Sequence, residues 1–136
     1  MKPKVLVVDD DIDYARLLAF NLERQGCEAL PVHNGVQALR VARTELPDVI
    51  LLDLMLPDLD GLSVCEILQT QPSTRDIPVF IVSALDQSWA ECRKSKAKAT
   101  QYFTKPVDLK VLAEKVRATS EERRALIHSR LAKKED

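Results

Sequence analysis

Apolar residues fall along this chain in two alternating rhythms. Val5-Leu6-Val7-Val8, Val49-Ile50-Leu51-Leu52 and Pro78-Val79-Phe80-Ile81-Val82 are short runs with no polar alternation. That pattern predicts strands buried on both faces of a parallel sheet. Ala29-Leu30-Pro31-Val32 is a weaker run, and Pro31, which has no N–H to donate, marks an edge. Tyr102-Phe103-Thr104 reads as a short fifth strand. Between the runs the apolar spacing turns helical. Ile12, Ala15, Leu18, Ala19 and Leu22 share one face and stop near Gly26. Val36, Ala38, Leu39, Val41 and Ala42 follow the capping residue Asn34 and end before Pro47. Val64, Cys65, Ile67 and Leu68 lie on a helix from Leu62 to about Thr70, which Pro72-Ser73-Thr74 breaks. The stretch from about Asp86 to Ala99 favours helix but carries only Trp89, Ala90, Cys92 and Ala97 among several lysines, and is expected to be the least firmly packed. Asp108 can cap a last helix with Leu109, Leu112, Ala113 and Val116.

Strand and helix alternate five times. The alternation predicts an α/β fold, a parallel sheet built from right-handed crossovers and covered on both sides. In such a sheet every strand's carboxyl end lies on one edge, where ligands bind. Four strands end there in polar groups, namely Asp9-Asp10, Asp53, Ser83 and Lys105. Residues more than forty positions apart in sequence are thereby expected to share one crevice. Pro57 cannot continue the ladder, and Gly61 can take backbone angles closed to other residues. The chain therefore leaves the sheet in a fixed loop directly after Asp53.

The totals narrow the function classes. A length of 136 residues fits one domain with a real core. A net charge of −1 implies no broad pull towards nucleic acid or a membrane surface. Cys27, Cys65 and Cys92 are odd in number and far apart, which fits neither a disulfide framework nor a zinc motif. They are expected to be reduced thiols in the cytoplasm, two or more packed as small apolar groups. The apolar run after Met1-Lys2-Pro3-Lys4 is too short for a signal peptide or a membrane span.

The converging groups themselves point to phosphoryl chemistry. Asp9, Asp10 and Asp53 form a cluster of like charge, which is costly unless a cation shares it. Mg2+ suits such a set, because it takes oxygen ligands and keeps several waters. Sites of this kind support phosphoryl transfer through positioning and charge neutralisation. Lys105 is a point charge suited to a phosphoryl oxygen or to Asp53 itself. Ser83 can donate one hydrogen bond to another phosphoryl oxygen. Asp53 has no serine, cysteine or histidine rival nearby, so it is the natural nucleophile, with an aspartyl phosphate as product.

Val7-Val8-Asp9-Asp10, Asp53 with Pro57 and Gly61, Ser83-Ala84 and Lys105-Pro106, in that order over roughly residues 4 to 118, resemble the signature of the receiver domain of two-component response regulators. The resemblance implies a flavodoxin-like doubly wound sheet of five parallel strands in the order 2-1-3-4-5 with flanking helices. It implies that Asp53 accepts a phosphoryl group from a histidine kinase or phosphotransfer protein, in a phosphoacceptor rather than a turnover enzyme. Asp10 would bind Mg2+ directly, Asp9 largely through water and the Met55 carbonyl as a further ligand beside Asp53. Ser83 and Lys105 would hold the phosphoryl oxygens. Ser83 and Tyr102 would form the switch, the serine moving towards the phosphoryl group and the ring swinging inward; the plain alternative for Tyr102 is a surface tyrosine. A cis Lys105-Pro106 bond, common in the family, would aim the lysine into the crevice. Met55 and Leu85 would flank the path of the hydrolytic water, and being apolar, predict slow self-dephosphorylation. Three departures stand out: Val107 where Phe is common, Lys98-Ala99-Thr100 where Gly-Ala often precedes the fifth strand, and serine rather than threonine at Ser83.

After Val116 the apolar period lapses and then resumes at Ala125-Leu126-Ile127 and Leu131. Residues 1–118 are read as the receiver and 119–136 as a helical extension or linker. Thr119 and Glu122 have capping-box spacing for a new helix; alternatively the last helix runs on. Ile127 and Leu131 could form a short homodimer seam but fall short of sustained heptads. The tail holds no helix-turn-helix, so no direct contact with nucleic acid is expected. Output is expected through the face of the fourth helix, fifth strand and fifth helix, to a downstream protein or an output domain. Trp89 there is either an exposed anchor or packs over the core edge. Two rivals remain: a Mg2+-dependent phosphatase of the haloacid dehalogenase type, which needs a late acidic pair not found here, and a pseudo-receiver that only binds.

Overall fold

In the computed structural model the chain forms β1 (Lys4–Val8), α1 (Ile12–Arg24), β2 (Glu28–Val32), α2 (Gly35–Glu45), β3 (Val49–Leu52), α3 (Gly61–Thr70), β4 (Val79–Ser83), α4 (Gln87–Lys94), β5 (Gln101–Thr104) and α5 (Leu109–Glu135). The structure describes residues 2–84, 87–95 and 99–135. Leu85, expected to flank the path of the hydrolytic water, lies outside them, as do the side chain of Trp89 and the lysines at 96 and 98. All five strands are parallel, in the order β2-β1-β3-β4-β5. The fold is therefore the flavodoxin-like doubly wound sheet expected, with the Pro31 strand at an edge.

The continuous apolar runs follow from two covered faces. Val5, Val7, Val49, Leu51, Phe80 and Val82 point into a core roofed by α1 and α5. Leu6, Val8, Ile50, Leu52, Val79 and Ile81 point the other way, under α2, α3 and α4. With period-two geometry, a strand that must satisfy both cores has no position left for a polar residue. Cys27, Cys65 and Cys92 are all buried in these cores. Burial pushes the Cys65 thiol up to about 12, so it packs as an apolar group.

Register brings the polar strand ends together. Val8 stands opposite Leu52, so Asp9 and Asp53, the next residues, leave the sheet side by side. Asp9 N donates to Val32 O (3.1 Å) and Asp53 N to Val8 O (3.0 Å), which carries the ladder one step past the strands. On the far side Ser83 pairs with Thr104, and Lys105 N donates to Ser83 O (2.9 Å).

Gly61 is required for space, not for the special backbone angles expected of it. Gly26 is the one glycine in the left-handed region (φ 90°), so special backbone angles do not explain Gly61. A Cβ on Gly61 would instead strike the Asp53 carbonyl oxygen and Leu54 Cα. Its role is close approach: the first turn of α3 lies directly against the backbone that carries Asp53.

No helix starts at Thr119. α5 runs unbroken from Leu109 to Glu135, burying Leu112, Ala113, Val116 and Ser120 before it leaves the core. Its continuation is tied to the foot of β3. Arg124 donates to Asp48 Oδ2 (3.1 Å) and to Lys2 O (3.1 Å), and Arg123 to Pro47 O (3.3 Å). Beyond that clamp Leu126, Ile127 and Leu131 are exposed. Among the described residues no helix is long and apolar enough to cross a membrane.

Candidate functional site

Asp9, Asp10 and Asp53 each place a carboxylate oxygen within 4.8 Å of the others. Asp53 is 5% exposed and Asp9 2%, whereas Asp10 faces solvent. The next residue, Asp11, turns away: its side chain accepts from Tyr14 N and caps α1. Asp9 is held in place from several sides. Its Oδ1 accepts from Asp11 N (2.9 Å), and its backbone carbonyl lies 3.0 Å from His33 Nδ1. Burial pushes the Asp9 carboxyl above the usual carboxylate range, against the opposing pull of Lys105 and the Asp11 amide.

Lys105 serves both buried carboxylates. Its Nζ donates to Asp53 Oδ2 (2.6 Å) and to Asp9 Oδ2 (2.7 Å). Burial alone would lower this ammonium's pKa; the two carboxylate bonds overcome that and hold it above its ordinary value. The lysine expected on Asp53 or a phosphoryl oxygen thus also bridges to Asp9, 96 residues away in sequence. The Lys105-Pro106 bond is cis, as the resemblance implied.

Ser83 is fully buried, and its hydroxyl donates to Asp53 Oδ1 (2.7 Å). Leu54 N in turn points at the Ser83 Oγ (3.4 Å), and Met55 N donates to Asp53 Oδ1 (3.0 Å). Both oxygens of Asp53 are therefore engaged, one by Ser83 and Met55 N, the other by Lys105. The Met55 side chain is exposed beside this cluster. Tyr102 is half-buried and packs against the core under α2, α3 and α4. Its hydroxyl accepts from Ala99 N (3.3 Å), and Arg93 of α4 lies 5.5 Å from its ring centre. It is not a free surface tyrosine but a bridge between β5 and α4.

The loop after Asp53 has an anchor that sequence reasoning missed. Asp58 accepts from Gly35 N (2.7 Å) and Val36 N (3.0 Å), across the start of α2. Those two amide bonds, with a third from Leu59 N, hold its carboxyl below the usual range. An aspartate capping a helix from a distant loop carries no local sequence signal. Asp58→Ala is expected to speed hydrogen exchange at Gly35 and Val36 at neutral pH. Because its folded pKa is depressed, the native clamp should be complete above the ordinary carboxylate value and fail as pH falls through the depressed one. Unchanged exchange at those two amides would contradict it.

These three clustered carboxylates, two of them bonded to Lys105, are a hard-oxygen set that fits Mg2+ in donor type and charge. Residues 5–117 match the family model of the response regulator receiver domain. The chain is 39% identical over 118 residues to the response regulator PleD of Caulobacter vibrioides, covering 87% of this chain and 26% of that protein. The Francisella response regulator 1452 receiver domain superposes with a TM-score of 0.81 at 34% identity, over 90% of this chain and 99% of that one. The receiver domain of sensor histidine kinase PA1611 from Pseudomonas aeruginosa PAO1, solved with a magnesium ion coordinated in its active site cleft, gives a TM-score of 0.81 at 26% identity, over 89% and 99%. The chain spans about a quarter of the length of PleD and about half that of other curated relatives it matches. A family match over most of the chain, with the doubly wound sheet and relatives at this identity, shows that the chain belongs to the response regulator receiver domain family of two-component signalling.

Proposed function

We propose that this receiver works as a Mg2+-dependent phosphoacceptor with Asp53 as the residue modified. One observation carries the reading: Asp53 is buried with both oxygens held by donors, Ser83 and Lys105, that can turn to a phosphoryl group, inside a cluster of three carboxylates of which Lys105 bonds two. Asp9, Asp10, Asp53 and the Met55 carbonyl would hold the metal ion. When bound, it supplies positive charge against the oxygens of the transferring group.

The residues divide the work as follows. An Asp53 oxygen attacks phosphorus of a phosphohistidine on a histidine kinase or phosphotransfer protein. The P–N bond breaks, and the departing imidazole recovers its electron pair and takes a proton. Lys105 gives up a carboxylate contact for a phosphoryl oxygen, a charge-assisted bond of the stronger kind. Ser83 turns its hydroxyl from Asp53 to another phosphoryl oxygen. Moving Ser83 leaves space beside β5, and Tyr102, which already bridges β5 to α4, carries the change to the face of α4, β5 and α5. That face would engage a downstream protein or an output domain. Met55 and Leu85, being apolar, cannot orient a hydrolytic water, so the phosphorylated state would be long-lived. The protein would act in the cytoplasm.

Beryllofluoride, an inert stand-in for a phosphoryl group, tests the reading without turnover. Calorimetric titration should show one saturable site that requires Mg2+ and vanishes in Asp53→Asn. Equal binding without Mg2+, or by the Asn variant, would contradict it.

A further inference from the structure

We propose that Tyr14 is a positioning residue for Lys105, holding the ammonium over the Asp9–Asp53 pair through the face of its ring; this rests on the phosphoacceptor reading above. Lys105 Nζ lies 4.6 Å from the centre of the Tyr14 ring while it bonds Asp53 and Asp9. That distance is well inside the range of a cation–π contact, and partial desolvation strengthens it. The ring is itself fixed. Tyr14 lies in the first turn of α1, its N–H bonded to Asp11, and its side chain packs against the core roofed by α1 and α5.

The hydroxyl does not explain the residue. Tyr14 OH is buried and has no hydrogen-bond partner among the described residues. An unsatisfied buried hydroxyl costs stability, and a leucine would fill an apolar position without it. What leucine cannot supply is an aromatic face towards an ammonium. The face matters because lysine is a point charge on a flexible four-carbon stem. The carboxylate bonds that now restrain Lys105 are the ones that must be exchanged when a phosphoryl oxygen arrives. The Tyr14 contact is not exchanged, since the ring competes for neither the carboxylates nor the incoming group. It keeps the ammonium in place while its partners change.

The test separates the ring face from mere packing. Position 14 is filled in turn with tyrosine, phenylalanine and ring-fluorinated phenylalanines, which keep the shape and weaken the face. Two quantities are followed: the rate of phosphoryl addition from acetyl phosphate with Mg2+, and, in the metal-free protein, the upfield ring shift of the Lys105 side-chain protons. Tyr14→Phe is expected to keep the rate. Fluorination should lower it stepwise, by about five-fold at full substitution. Tyr14→Leu should show a similar loss together with loss of the ring shift. If that variant fails to fold, the fluorinated series still decides. A flat rate across the series, with tyrosine phosphorylated normally, overturns the inference and leaves the phosphoacceptor reading standing. No phosphorylation of the tyrosine protein overturns both.

Discussion

Gly61→Ala is expected to cost about 3 kcal/mol and to displace the phosphoacceptor with it. The added methyl group would meet the Asp53 carbonyl oxygen and Leu54 Cα, both backbone atoms that no rotamer change can move. Gly61 N also donates to Leu54 O (2.8 Å), so the two segments are bonded where the clash would fall. Relief requires the first turn of α3 to lift or the Asp53 backbone to shift, and either change misplaces Asp53 relative to Ser83 and Lys105. Urea unfolding should show a lower midpoint with an unchanged slope. Asp60→Ala is the control. It removes the α3 N-cap bond to Ser63 N (2.9 Å) without adding bulk, and should cost only about 1 kcal/mol. Equal stability of Gly61→Ala and the native protein would contradict the close-approach role.

Lys105→Met should destabilise the metal-free protein by about 3 kcal/mol near neutral pH. Asp9 and Asp53 would remain in the crevice as unpaired, mostly buried carboxylates. Adding Asp9→Asn should restore much of that loss, because one buried charge remains instead of two. The pH dependence has a sign for each group. The Lys105 pKa is raised on folding, so the stability from its bridges is complete below the ordinary lysine value and lost as pH rises through the raised one. The alkaline limb should therefore be steeper in the native protein than in Lys105→Met. The Asp9 pKa is also raised by burial, against the pull of Lys105; without Lys105 it should rise further, so the penalty in the variant should shrink as pH falls through that further raised value, where the folded state binds the extra proton. A variant as stable as the native protein in chelator would mean the two carboxylates do not depend on Lys105.

What was legible in the sequence follows from what is local. β1, β3 and β4 announce themselves because two cores leave no room for polar residues. Their carboxyl-end residues converge because parallel strands share an edge, and register needs no long-range guess once the order is known. The Lys105 bridge to Asp9 was not legible, since it depends on how far a flexible side chain reaches across two intervening strands. Asp58 was hidden for a similar reason: its partners are amides of a helix more than twenty residues earlier. Gly61 was found but misread, because sequence cannot separate a need for unusual angles from a need for space. The tail was undecided at Thr119, where capping residues sit inside a helix that Asp48, Arg123 and Arg124 hold to the domain. Tyr102 was noted without its partner, because the contact with Arg93 depends on how α4 packs beside β5.

The most direct measurement is the intact mass of the protein after incubation with acetyl phosphate and Mg2+, beside Asp53→Ala. One phosphate-sized addition, absent from the variant and abolished by chelator, is the predicted result. No addition, or an addition that Asp53→Ala retains, would contradict the assignment of Asp53 as the phosphoacceptor.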